Sequence, residues 1–202
     1  AALVEPFAIG SHCTGRGRGV EDDVVFILGT GTIGSIILQT CKAKGCKTVI
    51  CCDISDSSLE RAKEYGADYV INSKTQDVVA EIQKITDGHG CTVAFDSACF
   101  PGSLTMCLQP GILCNAGRMV PMGFCTEKEG ITQAMINQRE LDIIGSRMSQ
   151  DAFEPTIARM EKGEYITEGI ATTFIKFSEI DKVFHLMDHP DESAKKMVIL
   201  FD

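Results

Sequence analysis

Residues 24–39, "VVFILGTGTIGSIILQ", decide the fold. Five apolar residues, Val24 to Leu28, run into Gly29-Thr30-Gly31-Thr32-Ile33-Gly34, and an apolar stretch at helical spacing follows. Such a run, rich in β-branched and aromatic residues, reads as a buried strand. A glycine-rich turn between a strand and a helix has a specific physical use. Gly29 would make the tight turn, Gly31 would let the backbone approach a pyrophosphate with no Cβ in the way, and Gly34 would let helix and strand pack closely. The phosphates would lie at the helix N-terminus, where unpaired N–H groups and the helix dipole favour negative charge.

A G-x-G-x-x-G stretch alone is weak evidence, and its context is what strengthens it. Asp53 ends the next apolar run, "KTVICCD", about twenty residues after the glycines, where an acidic side chain accepts the adenosine ribose hydroxyls. A 2′-phosphate there would meet a carboxylate, so NAD is favoured over NADP. The plainer reading is a glycine turn and a carboxylate that merely closes a strand. It needs strand, helix, spacing and acid to coincide by chance.

The same rhythm continues along the chain. The "VVFIL" strand leads to a helix ending near Lys44, and "KTVICCD" leads to a helix from Ser57 to Tyr65. "DYVIN", the amphipathic "TQDVVAEIQKIT", "CTVAFD", a helix broken near Pro110, "RMVPMGF" and "LDIIGSRM" complete the pattern. Gly66 suits the position just past a helix end. Strands alternating with helices imply crossovers and a parallel sheet. Right-handed crossovers then predict an α/β, Rossmann-type, doubly wound sheet of about six strands. After Met148 the rhythm changes to a helix, the strand "GIATTFIKF", a helix opened by Ser178 and a final strand "KKMVILFD". The expected division is a dinucleotide-binding unit over 1–148, led by a helical segment over 1–20, and a separate tail over 149–202.

Composition narrows the partners. A net charge of −9 argues against nucleic acid, whose phosphates attract clustered Lys and Arg. The one dense basic piece, Arg16-Gly17-Arg18, is too short to reverse this. No apolar run reaches the roughly 18 residues of a membrane helix, and the apolar opening lacks the basic start of a signal peptide. The ten cysteines contain no Cys-x-x-Cys pair, so they read as reduced core thiols of a cytoplasmic protein rather than as a metal cluster. The opening "AALVEPFAIGSHC" has no initiator Met and already reads as a helix, as a piece of a longer protein would.

Several stretches resemble one family in particular: "AALVEPFAIGSH", "VFILGTGTIGSIILQTCKAKG", "CCDISDSSLERAKEYGADYVIN", "VAFDSACFPGSL", "GRMVPMGF" and "LDIIGSR". Together with the tail they cover essentially the whole chain. They are similar to the cofactor-binding half of the medium-chain, zinc-dependent alcohol and polyol dehydrogenases. "EPFAIGSH" and "IIGSRMS" most resemble the branch acting on sorbitol, idonate and galactonate. The resemblance implies NAD as cofactor, a polyol or sugar acid as substrate, and hydride transfer from a secondary alcohol assisted by zinc in the whole enzyme. It also implies a homodimer or homotetramer, with the sixth strand pairing with its twin.

Carried over by position, Ile33 would cover the pyrophosphate, and Ser97 and Ala98 would lie by the adenine side of the cleft. Met122, Gly123 and Phe124, ending the fifth strand, would meet the nicotinamide through their backbone. Arg147 would close over the cofactor, although a solvated arginine at a strand end explains it nearly as well. Ile9, by default a core residue, could pack on the nicotinamide ring. Thr32 replaces the family's common Pro, and Ser58 stands where many members place Arg or Lys near the ribose.

Glu5 is the one candidate metal ligand, in a Glu-Pro pair that faces zinc in the polyol branch. A helix-start acid favoured by the dipole is its plainer explanation. The family's Cys and Gly-His-Glu zinc ligands do not occur here: His12, His89, His185 and His189 stand in other contexts. One oxygen cannot hold zinc alone, since catalytic sites use three protein ligands plus water. Two rival readings remain: a nucleotide-sensing or interaction module that binds NAD without chemistry, and a zinc-free quinone-reductase-like enzyme.

Overall fold

A computed structural model describes residues 1–19, 21–189 and 196–201. In chain order the elements are α1 (Val4–Arg16), β1 (Val24–Leu28), α2 (Thr32–Ala43), β2 (Thr48–Asp53), α3 (Asp56–Glu64), β3 (Tyr69–Asn72), α4 (Val78–Ile85) and β4 (Cys91–Asp96). They continue with α5 (Ser103–Cys107), β5 (Leu113–Pro121), α6 (Gln133–Asn137), β6 (Asp142–Ile143), α7 (Phe153–Glu161), β7 (Thr173–Lys176), α8 (Asp181–Asp188) and β8 (Met197–Leu200). Six strands form one parallel sheet in the order β3-β2-β1-β4-β5-β6. This is the doubly wound arrangement, in which the order of strand addition reverses between β1 and β4.

Because both faces of the sheet are covered, its central strands need no polar face. Alternate residues of each strand enter opposite layers. Val25, Ile27, Val49, Cys51, Val93 and Phe95 pack with Phe7 of α1 and with Ile36 and Ile37 of α2. Phe26, Leu28, Ile50, Cys52 and Ala94 pack with Val78 and Ile82 of α4 and with Cys107. Truncating a fully buried side chain such as Ile37 to Ala costs about 2–5 kcal/mol, for lost transfer energy plus the cavity left behind.

The caps explain where the helices begin and end. Ser55 accepts from Ser58 N and opens α3, and Asp77 accepts from Ala80 N and opens α4. Gly66, with φ of +95°, follows the end of α3 as expected. Arg118 of β5 donates to the carbonyls of Gly17 and Arg18 and pairs with the buried Asp23, which fixes the approach from α1 to β1.

Several boundaries differ from the sequence expectation; "GIATTFIKF", for one, is strand only over Thr173–Lys176. Strand β5 ends at Pro121, so Met122, Gly123 and Phe124 lie just past it rather than in it. Of "LDIIGSRM", only Asp142 and Ile143 join the ladder, against Arg118 and Met119. Ser178 does not open α8; it lies in a 3-10 turn over Phe177–Glu179. That turn is anchored by the Phe177 ring, stacked on Phe201 at 5.0 Å. The five-residue α6 had no signal in the sequence reading.

Beyond β6 the chain divides its allegiance. Tyr165 and Ile170 enter the layer formed by α1 and α2, with the Phe7 and Tyr165 rings 4.7 Å apart. Strands β7 and β8 instead form their own two-stranded parallel sheet. Among the described residues no helix is long and apolar enough to cross a membrane.

Candidate functional site

The glycine turn is pinned from both sides. Gly29 N donates to Cys52 O at 2.8 Å, and the amide and hydroxyl of Thr30 both donate to Asp53 Oδ2, at 2.7 and 3.0 Å. Ser55 N donates to Asp53 Oδ1 at 2.9 Å. On the other side Ser97 Oγ lies 2.7 Å from Gly29 O and 3.0 Å from Leu28 O. The carboxylate of Asp53 is therefore held against the turn by three donors before any ligand arrives.

Each glycine has a distinct geometric duty. Gly29 has φ of +86°, a conformation L side chains rarely adopt, and a Cβ there would meet Ala98 N at 2.8 Å. A Cβ on Gly34 would overlap the Gly29 carbonyl oxygen. Gly31 is different: it is exposed, its φ is an ordinary −66°, and a Cβ there would meet nothing within 4 Å. Its glycine leaves open space, which fits a backbone kept bare for a ligand. Gly31 is also the N-cap of α2, with no side-chain cap and no acid in the first turn. Those N–H dipoles suit an anion, so a dinucleotide pyrophosphate fits the residues present.

Beside the turn, at the C-terminal ends of β1, β4 and β5, lies a cavity of about 320 Å³. Ile9, Ile33, Ser97, Met122, Gly123, Phe124, Arg147 and Met148 line it. The structure thus brings together residues from α1, the glycine turn, the ends of β4 and β5, and the segment after β6. The Arg147 guanidinium stands 5.5 Å from the Phe124 ring centroid, a cation–π contact across the mouth. Gly123 packs on Cys99 so closely that a Cβ would overlap the sulfur. Ala98 is exposed beside Gly29, and Thr32 begins α2. Ser58 is buried in the first turn of α3.

Met148 escaped the sequence reading, and no local pattern could have revealed it. It is 62% exposed with φ of +60°, and only the path of the chain after β6 brings it to the cavity.

Glu5 is exposed in the first turn of α1. It lies one helical turn before the cavity-lining Ile9, on the same helix face. Among the described residues, no group of three or more His, Cys, Asp or Glu could hold a metal ion. Glu5 by itself does not make a zinc site. All ten cysteines are free, and seven are buried. Burial pushes the Cys52 and Cys91 thiols up to about 12, which suits core residues rather than metal ligands.

Comparison with known proteins identifies the family and agrees with the fold. Residues 32–162 match the zinc-binding dehydrogenase family. The chain is 30% identical over 202 residues to the (R,R)-butanediol dehydrogenase of Neisseria gonorrhoeae, covering 98% of this chain and 56% of that protein. It is 28% identical over 200 residues to the sorbitol dehydrogenase of Bacillus subtilis, covering 98% and 56%. A crystal structure of the Escherichia coli CFT073 alcohol dehydrogenase rspB, complexed with NADH, matches with a TM-score of 0.90 and 32% identity, over 100% of this chain and 59% of that one. The chain spans a little over half the length of these relatives. With its pinned glycine turn, its six-stranded sheet and a family match over most of its length, the chain belongs to the zinc-binding dehydrogenases.

Proposed function

We propose that this chain is the cofactor-binding half of an NAD-dependent dehydrogenase that oxidises a secondary alcohol of a polyol or sugar acid. The carrying observation is the placement of Asp53 and the bare Gly31 beside an apolar cavity at the C-terminal end of the sheet. NAD, when bound, supplies the hydride acceptor. Gly31 admits the pyrophosphate, and the first turn of α2 faces its charge. Asp53 Oδ1, which accepts from Ser55 N, takes a ribose hydroxyl as well. Ile9, Ile33, Met122, Phe124 and Met148 keep water from the nicotinamide, and Arg147 closes over it. Ser97 holds the turn through the Gly29 carbonyl, and Ala98 packs against the same glycine.

The relatives named for butanediol and sorbitol support the substrate class. Zinc belongs to this reading only through the part of the enzyme outside the chain, with Glu5 facing it. The unit over 1–148 carries the cofactor, and the tail over 149–202 covers the catalytic domain. Exposed Phe174, Phe184 and Met187 on that tail support such a covering. We place the enzyme in the cytoplasm, where ten free thiols stay reduced. Calorimetric titration tests the cofactor: NAD should bind more tightly than NADP, and equal or tighter NADP binding would refute the role given to Asp53. The isolated chain should turn over neither sorbitol nor galactonate, with or without added zinc; zinc-dependent turnover would show the ligands to be misplaced.

A further inference from the structure

Two of the ten cysteines line one cavity together. Cys125 is exposed and Cys99 half-buried, and both line a small cavity of about 100 Å³ between the ends of β4 and β5. Asp96 pairs with Pro121 in the ladder, so the two thiols follow neighbouring strand ends by three and four residues. Cys99 is held in place: its φ is +53°, its amide donates to Asp96 Oδ1 at 3.1 Å, and its sulfur rests on Gly123. Cys125 lies in residues 122–132, which contain neither helix nor strand. Such backbone can adjust to the Cα separation of about 4.4–6.8 Å that a disulfide requires. Cys13, Cys51, Cys52, Cys91 and Cys107 are buried, and burial keeps their thiols protonated and unreactive.

We propose that a peroxide oxidant joins Cys99 and Cys125 in a reversible disulfide beside the cofactor cleft. The exposed Cys125 thiolate attacks the peroxide oxygen, breaking the O–O bond to give a sulfenic acid and hydroxide, which takes up a proton. The Cys99 thiolate then attacks the Cys125 sulfur; the S–S bond forms, the S–O bond breaks, and the departing hydroxide becomes water. In sum, two thiols and one hydrogen peroxide give one disulfide and two waters. Gly123 and Phe124 line the larger cavity and immediately precede Cys125. The new bond draws this segment toward β4 and reshapes the nicotinamide pocket, a consequence that rests on the dinucleotide reading above.

The test is peptide mapping without reductant, after equimolar hydrogen peroxide is added to the reduced protein. The expected product is a Cys99–Cys125 cross-linked peptide that dithiothreitol splits, absent in both Cys99→Ser and Cys125→Ser. NAD affinity should fall about tenfold on oxidation, recover on reduction, and stay constant through the same treatment in Cys99→Ser. Separate alkylation of the two thiols after oxidation, or linkage elsewhere such as Cys41 to Cys46, would overturn the proposal. A formed disulfide with unchanged NAD affinity would overturn the coupling. If the reduced protein binds no NAD, the cofactor reading fails, while the peptide map still decides the disulfide.

Discussion

Asp53 and Thr30 are joined twice: one carboxylate oxygen accepts from both the amide and the hydroxyl of Thr30. The residue expected to recognise the cofactor's ribose therefore also shapes the turn expected to receive its phosphates. This predicts a two-part defect for Asp53→Ala. NAD affinity should fall by about tenfold to a hundredfold, since charge-assisted hydrogen bonds are the strong ones. The preference for NAD over NADP should shrink with it, because the repulsion of a 2′-phosphate is removed too. Titration of the variant with both nucleotides checks this; a preference equal to that of the parent would place the discrimination elsewhere.

Gly31 and Gly34 should separate binding from stability. Gly31→Ala meets open space at an ordinary φ, so it should shift stability by less than about 1 kcal/mol while strongly weakening NAD. Gly34→Ala forces a Cβ into the Gly29 carbonyl and should cost about 1–3 kcal/mol or more through backbone displacement. Urea unfolding beside nucleotide titration distinguishes them. Equal stability losses in the two variants would contradict the geometry.

We predict self-association through β6. Ile144 N donates inward to Met119 O at 2.8 Å, so alternation turns the Ile143 N–H toward the open edge. Ile143 is itself 37% exposed, and an unpaired edge is a template for a second copy. Ile143→Pro removes that outward donor and spares the inward ladder. Sedimentation should show a dimer or tetramer for the parent and a monomer for the variant. A folded variant that associates as tightly would exclude this edge as the interface.

Alkaline pH should destabilise the fold steeply. Burial pushes the Cys52 and Cys91 thiols up to about 12 and raises those of Cys13, Cys51 and Cys107. In the unfolded chain each titrates near 8.5. Above about pH 8.5 the unfolded state therefore binds fewer protons than the folded one, and stability falls as pH rises. Each such thiol contributes about 1.4 kcal/mol per pH unit until the folded value is reached. Urea midpoints between pH 8 and 10 should drop accordingly, and replacing Cys91 with Ala should lessen the slope by one thiol's share.

The sheet and its turn were legible in the sequence because their signals are local. Five apolar residues, three glycines and an acid at the end of the next strand fall within thirty positions, 24–53, and each constrains the backbone of its own neighbourhood. Gly66 after α3 is another such signal, readable from a helix end alone. Tertiary structure decided what depends on residues far apart in the chain. Ile9 and Met148 meet across one cavity only because α1 and the segment after β6 converge beside the turn. The apolar run "LDIIGSRM" has the composition of a long strand, yet only two of its residues find a partner in β5. Ser178 looks like a helix cap, but the stack of Phe177 on Phe201 holds it in a 3-10 turn. Periodicity records which side of an element is apolar; which distant element covers that side is set by packing, and packing placed the cavity.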